Sequence, residues 1–288
     1  MHLLVTPFSS SPLMLHALTA GVLVSIACAI VGTFVILRGL AFIGDALAHG
    51  VLPGIAVALL AGFSGIIGAA VGAALMIGGI SLITRRTRLS SDTAIGLLFI
   101  GMLSLGVVIV SRSNSFNGDL THILFGEILG ISVTDILIQL AATIIIAALA
   151  VICARPFLLL SFDPEQAEVA GFSVGLYHSI MLFMIAATVI VSFQTVGTLL
   201  VFGLLIAPAG AGALIARRIG AMMGWAVLFG VLSMYSGLLI SYYFDLAAGA
   251  SIVLVSVAIF FIVFIVQNAR QGRSMRHPQR IDGGSKHG

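Results

Sequence analysis

Hydrophobic positions in this chain come in long unbroken blocks rather than at a helical or strand period. Apolar stretches cover 13–37, 41–62, 65–84, 93–111, 133–154, 198–216, 222–243 and 246–266, with a shorter one over 177–193. About 20 apolar residues carry a helix across a bilayer core, and backbone in lipid must satisfy its own hydrogen bonds. The pattern predicts an all-α polytopic membrane protein with eight to nine transmembrane helices. It also divides the chain into an N-terminal segment (1–12), a membrane domain (13–267) and a polar tail (268–288). The tail is rich in polar residues and glycine and is expected to lack structure.

Two connections are longer than turns. Residues 112–132, RSNSFNGDLTHILFGEILGIS, contain an apolar part, 123–131, too short to span, which reads as a re-entrant or interfacial helix. Residues 154–179 contain Asp163, Pro164 and Glu165 in succession. Aspartate at an N-cap, proline in the first turn and acids behind it mark a helix start. Gly171 supplies a stop. The expectation is a helix of about two turns over about 163–171, lying on one face of the membrane.

Composition and charge sharpen this picture. Of 288 residues, 60% are hydrophobic and 8% charged, against roughly 25% charged in soluble domains. The net charge of +3 is no nucleic-acid signal, because the basic residues sit between apolar blocks and in the tail. Arg38, then Arg85, Arg86 and Arg88, then Arg155, then Arg217 and Arg218, then the tail from Arg270 to Lys286 share one side if there are nine spans. Arg112 falls on the other. The positive-inside rule makes the first side cytoplasmic, with the C-terminus inside and the N-terminus outside. The N-terminus lacks a basic region and a small-residue cleavage site, so the first span is expected to be retained. Cys28 and Cys153 lie in separate apolar blocks and read as packing residues.

Most of the ten acidic residues have a polar home. Asp92 is expected to cap the fourth span, Asp119, Glu127 and Asp135 belong to the outer loop or its edge, and Asp163, Glu165 and Glu168 to the short helix. Asp45 is the exception. In GLAFIGDALAHGVLPG, residues 39–54, Asp45 falls about one turn inside the lipid, and His49 one turn deeper on the same face. A charge at that depth costs at least about 2.5–3.5 kcal/mol. The pair either ties two helices together or marks an ion path. A carboxylate and an imidazole suit Zn²⁺ or Mn²⁺. Two ligands per chain are few, and a homodimer with the site on its axis would supply four.

Pro53 removes the N–H that would reach the His49 carbonyl, and Pro208, in GLLIAPAGAGALIARR, does the same for Leu204. Both are kinks that either line a path or serve plain architecture; the small residues around Pro208 allow close helix approach. Asp119, His122 and Glu127 are candidates for an outer mouth, against a solvated loop. His178, at the start of a span, reads as interfacial. No HExxH or GxSxG occurs, and Lys286 is the only lysine, which excludes a GxxxxGK[ST] phosphate loop. The chain is expected to be no enzyme and to hold no resident cofactor; any ATPase driving it would be another polypeptide.

Several segments in order now carry a resemblance: GDALAHGVLPG (44–54), SDTAIGLLFIGMLSLGVVIVS (91–111), DLTHILFGEILGIS (119–132), DPEQAEVAGF (163–172), TVGTLLVFGLLIAPAGAGALIARR (195–218) and SYYFDLAAGASIVL (241–254). The chain resembles the ABC-3 family permeases, membrane subunits of bacterial zinc, manganese and iron importers. The resemblance implies an ABC importer permease fold in the plasma membrane. It implies a homodimer served by two ABC ATPase subunits that use the ATP, and an extracytoplasmic metal-binding protein. Asp163, Pro164, Glu165, Glu168 and Gly171 would belong to a coupling helix docking on the ATPase, and Asp45 and His49 would lie on the translocation path. Zinc is slightly favoured over manganese by the imidazoles. Rival readings are a same-fold permease for a chelated metal or corrinoid, and an ion-driven secondary carrier, which would need no coupling helix.

Overall fold

The computed structural model describes residues 12–87, 90–111 and 130–274. Among them, twelve α-helices follow one another: α1 (Pro12–Leu37), α2 (Ala41–Gly50), α3 (Leu52–Leu60), α4 (Gly65–Arg86), α5 (Ser91–Ser111), α6 (Val133–Ile152), α7 (Ala154–Phe162), α8 (Pro164–Val169), α9 (Val174–Val196), α10 (Thr198–Ile215), α11 (Ile219–Phe244) and α12 (Ala248–Ser274). Taking α2 and α3 as one span, seven stretches are long and apolar enough to cross a membrane, and α5 and α10 contain the shorter apolar helices Asp92–Gly106 and Leu199–Ile215.

All nine apolar blocks are helical, and the differences from expectation are local. The second span is two helices meeting at Val51, whose N–H reaches the Leu47 carbonyl at 3.1 Å. The bend therefore falls before Pro53, which sits in the first turn of α3, where its missing N–H costs no helical bond. The short block at 177–193 belongs to a full-length helix of 23 residues, α9, which Val174–Leu176 and Gln194–Val196 extend at its two ends. The fifth span stops at Ile152, and after a turn at Cys153 the unexpected helix α7 follows. The tail is helical as far as Ser274 rather than unstructured from 268. The start of α5 is held by Ser90 instead of Asp92: the Ser90 hydroxyl accepts the Thr93 N–H at 3.2 Å.

Other helix starts follow their sequence signals. Ser132 and Asp135 form a capping box on α6, each side chain accepting the other's backbone N–H, at 3.2 and 3.0 Å. Asp163 caps α8, and Ser173 caps α9.

Packing places α10 against α1, α11 and α12, and α2 against α5, α9 and α10. The helices are apolar on all sides, so close fit rather than an amphipathic stripe decides which faces meet. On α10, a methyl at Gly212 would lie 2.7 Å from the Met222 carbonyl oxygen of α11, and one at Gly203 would lie 2.7 Å from Val253 Cγ2 of α12. Small residues thus let α10 sit in the middle of the bundle. A methyl on Gly54 of α3 would collide with the Gly68 carbonyl of α4, and one on Gly68 with the Gly54 carbonyl.

Candidate functional site

α2 is ten residues long, and its buried residues are Ile43, Gly44, Ala46, Leu47, Ala48 and Gly50. That assignment leaves Phe42, Asp45 and His49 on the other face, at positions i, i+3 and i+7. Phe42 is exposed, while the side chains of Asp45 and His49 are 35% and 24% exposed in a single chain. His49 Nε2 lies 3.4 Å from Asp45 Oδ1. This is longer than a good N–H···O hydrogen bond, so the two groups adjoin without being consumed by each other. The His49 ring also lies 6.0 Å from the ring of Phe99 on α5, at 56°.

Among the described residues no group of three or more His, Cys, Asp and Glu side chains comes together. One chain therefore offers one carboxylate and one imidazole here. The sequence brought these two together correctly. Asp119, His122 and Glu127 lie outside the described residues.

Pro53 follows on the same span but meets apolar surroundings. It borders a cavity of about 350 Å³ between α3, α4 and α5, lined by residues such as Val57, Ile67, Val71, Met102 and Leu105. A methyl on Gly106 of α5 would lie 3.4 Å from Pro53 Cδ. Pro208 is buried inside α10, and a methyl on Gly230 of α11 would lie 3.8 Å from its Cγ.

At the end of the bundle reached by α7, Asp163 Oδ1 accepts the N–H groups of Glu165 and Gln166 at 3.0 and 3.1 Å. Pro164 opens α8, and Gly171 closes the turn behind it with φ of +83°. Over residues 165–169 of this helix, Ala167 is buried and Glu165, Gln166, Glu168 and Val169 are exposed, Val169 to 91%. The short helix thus exposes Val169 beside Glu165 and Glu168.

Two polar features escaped the sequence reading. His178 is not simply interfacial: Arg38 Nη1 donates to its Nδ1 at 2.9 Å, across 140 residues. Burial lowers the Arg38 pKa from its ordinary value, yet a guanidinium stays protonated at neutral pH. Gln139, fully buried on α6, lies 3.4 Å from the hydroxyls of Thr143 and Ser192. A lone amide in an apolar block was its available signal. The Arg38 contact had none, since neither residue stands out locally.

Comparison with known proteins gives concordant results. A family model described as the ABC 3 transport family matches residues 10–267. The manganese transport system membrane protein MntC of Halalkalibacterium halodurans is 37% identical over 262 residues, covering 91% of this chain and 89% of that protein. A probable iron transport system membrane protein of Haemophilus influenzae is 35% identical over 257 residues, covering 89% and 94%. The solved structure of PsaBC from Streptococcus pneumoniae in complex with Fab superposes with a TM-score of 0.83 at 33% identity, covering 95% of this chain and 99% of that one.

Proposed function

The chain belongs to the ABC 3 transport family, and on that premise we propose that it moves manganese into the cytoplasm, with iron the next choice of cargo. It is the membrane-spanning permease subunit of an ABC transporter for divalent metals, and ATP hydrolysis resides on a separate chain. The names of its relatives support manganese and iron, which moves the preference away from zinc. Mn²⁺ takes carboxylate, imidazole and water ligands, so Asp45 and His49 suit it.

The observation that carries the reading is the Asp45–His49 pair, partly exposed on one face of α2. In a homodimer, two such faces meeting on the axis would supply two carboxylates and two imidazoles. The two negative charges would offset the dication, lowering the cost of bringing it into the bilayer. Pro53 and Pro208 would shape the helices around this path rather than touch the metal.

The chain would be oriented with the Arg-rich helix ends and the C-terminus in the cytoplasm. α8 would then face the ATPase, with Glu165, Glu168 and Val169 in contact and Asp163, Pro164 and Gly171 fixing its shape. ATP binding would draw the ATPase subunits together, push the two α8 helices and rock the permease halves from outward- to inward-open. An extracytoplasmic binding protein would deliver the metal outside.

Cellular metal content tests the cargo. A deletion strain carrying the partner ATPase and the delivery protein is complemented with the wild-type chain, and manganese, iron and zinc are measured by elemental mass spectrometry. Restoration of manganese is expected. Restoration of zinc alone would overturn the choice of cargo, and restoration of none would overturn the transport reading.

A further inference from the structure

The proposed docking helix and the helix carrying Asp45 and His49 are joined by one short line of contacts. α8 ends at Val169, and two residues on Gly171, with its positive φ, turns the chain into Phe172. The Phe172 ring packs edge-on against Tyr177 in the first turn of α9, with centroids 5.5 Å apart. The next residue is His178, and its Nδ1 accepts the Arg38 Nη1–H bond at 2.9 Å. Arg38 directly follows α1. After it, Gly39, with φ of +66°, and Leu40 lead straight into α2, and Asp45 lies seven residues beyond Arg38. α9 also packs along α2.

The chemistry of this bond favours a fixed geometry. A guanidinium donor is planar and directional, and its bond to a neutral acceptor is stronger than a neutral pair. An arginine at a membrane surface would ordinarily reach outward to water and headgroups; Arg38 is instead half buried and turned onto α9. His178 must present Nδ1 as an acceptor, which places its proton on Nε2. Among the described residues His178 does not join Asp45 and His49 in a larger group of His, Cys, Asp and Glu side chains.

We propose that Arg38 and His178 are a positioning pair that ties the movement of α8 to α2. When the ATPase displaces α8, the first turns of α9 move with it, and the Arg38–His178 bond turns the chain entering α2, reorienting Asp45 and His49. The inference rests on the reading of α8 as the ATPase-docking helix. Its consequence is specific: with the bond cut, ATP is hydrolysed without metal moving.

The test uses the complete transporter, with its ATPase subunit and delivery protein, in proteoliposomes. Radioactive manganese uptake and phosphate release are measured together, giving ions moved per ATP. His178→Phe keeps a ring but removes the acceptor, Arg38→Met removes the donor, and His178→Asn places a polar acceptor near the position of Nδ1. His178→Phe and Arg38→Met are expected to retain the ATPase subunit and its hydrolysis while ions per ATP fall about tenfold. His178→Asn should stay within about threefold of wild type, and the double variant should lose no more than either single one.

Wild-type ions per ATP in His178→Phe would overturn the proposal. So would loss of assembly, hydrolysis and uptake together without rescue by His178→Asn, which is the signature of a structural staple. Val169→Glu on α8 separates this from the underlying reading. If it leaves the complex intact and coupled, α8 is not the docking helix and the tie falls with it. If it releases the ATPase while His178→Phe remains coupled, the tie alone is wrong.

Discussion

The contact between α3 and α4 makes a quantitative prediction, because it is backbone against backbone. A methyl group on Gly54 would collide with the Gly68 carbonyl oxygen and lie 3.0 Å from the Gly72 nitrogen. None of these atoms can rotate away, as the tip of a side chain could, so the helices must part by about 1 Å in a close-packed interior. Overpacking of this kind costs about 1–3 kcal/mol, and the better helix propensity of alanine returns about 0.5–1 kcal/mol. Gly54→Ala should therefore destabilise by about 1–2 kcal/mol. At about 2–4 °C per kcal/mol for a protein of this size, the apparent Tm falls by about 2–8 °C. A thiol-reactive dye reads the transition directly, because Cys28 is 0% exposed in the folded bundle. Gly101→Ala is the control: a methyl there meets nothing within 4 Å, so its Tm should hold or rise. Gly68→Ala presses on the same contact from the other side, and the double variant should cost less than the sum. Equal melting temperatures for Gly54→Ala and Gly101→Ala would refute the close approach of α3 and α4.

Three further outcomes follow from local geometry. Gly171→Ala meets no neighbouring atom within 4 Å, so its cost is that of a left-handed backbone, about 1–2 kcal/mol; amide exchange over 164–172 should rise about 5- to 30-fold, and unchanged exchange would contradict it. Asp163→Ala removes the acceptor of two N–H groups at 3.0 and 3.1 Å and should weaken α8 by about 1 kcal/mol in the same assay. Cys28 and Cys153 are 0% and 6% exposed, so maleimide should label neither thiol before unfolding and both after it; native labelling of Cys28 would contradict the packing of α1.

Much of the fold was legible because a bilayer imposes length. Blocks of about 20 apolar residues had to be helical, and all of them are, the second as two helices that meet at Val51. Capping signals are local, and Asp163 with Gly171 bounded α8 as expected, whereas at the start of α5 Ser90 took the place expected of Asp92. The Asp45–His49 pair was legible because i and i+4 share a helix face whatever the tertiary packing. What stayed hidden depends on contacts distant in sequence. α7 follows a turn at Cys153, and its one local signal, Pro156 in the first turn, was not read as a helix start. The Arg38–His178 bond joins residues 140 apart, each ordinary in its own neighbourhood. In helices apolar on every side, the sequence carries little information about which face meets which.

The most direct measurement for the account as a whole is manganese uptake by cells expressing the chain with its ATPase and delivery protein, at matched membrane levels. Wild type, Asp45→Ala and His49→Ala are compared, with radioactive manganese as the tracer. Loss of one ligand of a few should lower uptake about tenfold or more, with the ATPase subunit still co-purifying, since neither residue lies near α8 in sequence or on its surface. Uptake at the wild-type rate by His49→Ala would contradict the central claim and leave the pair as a contact between helices.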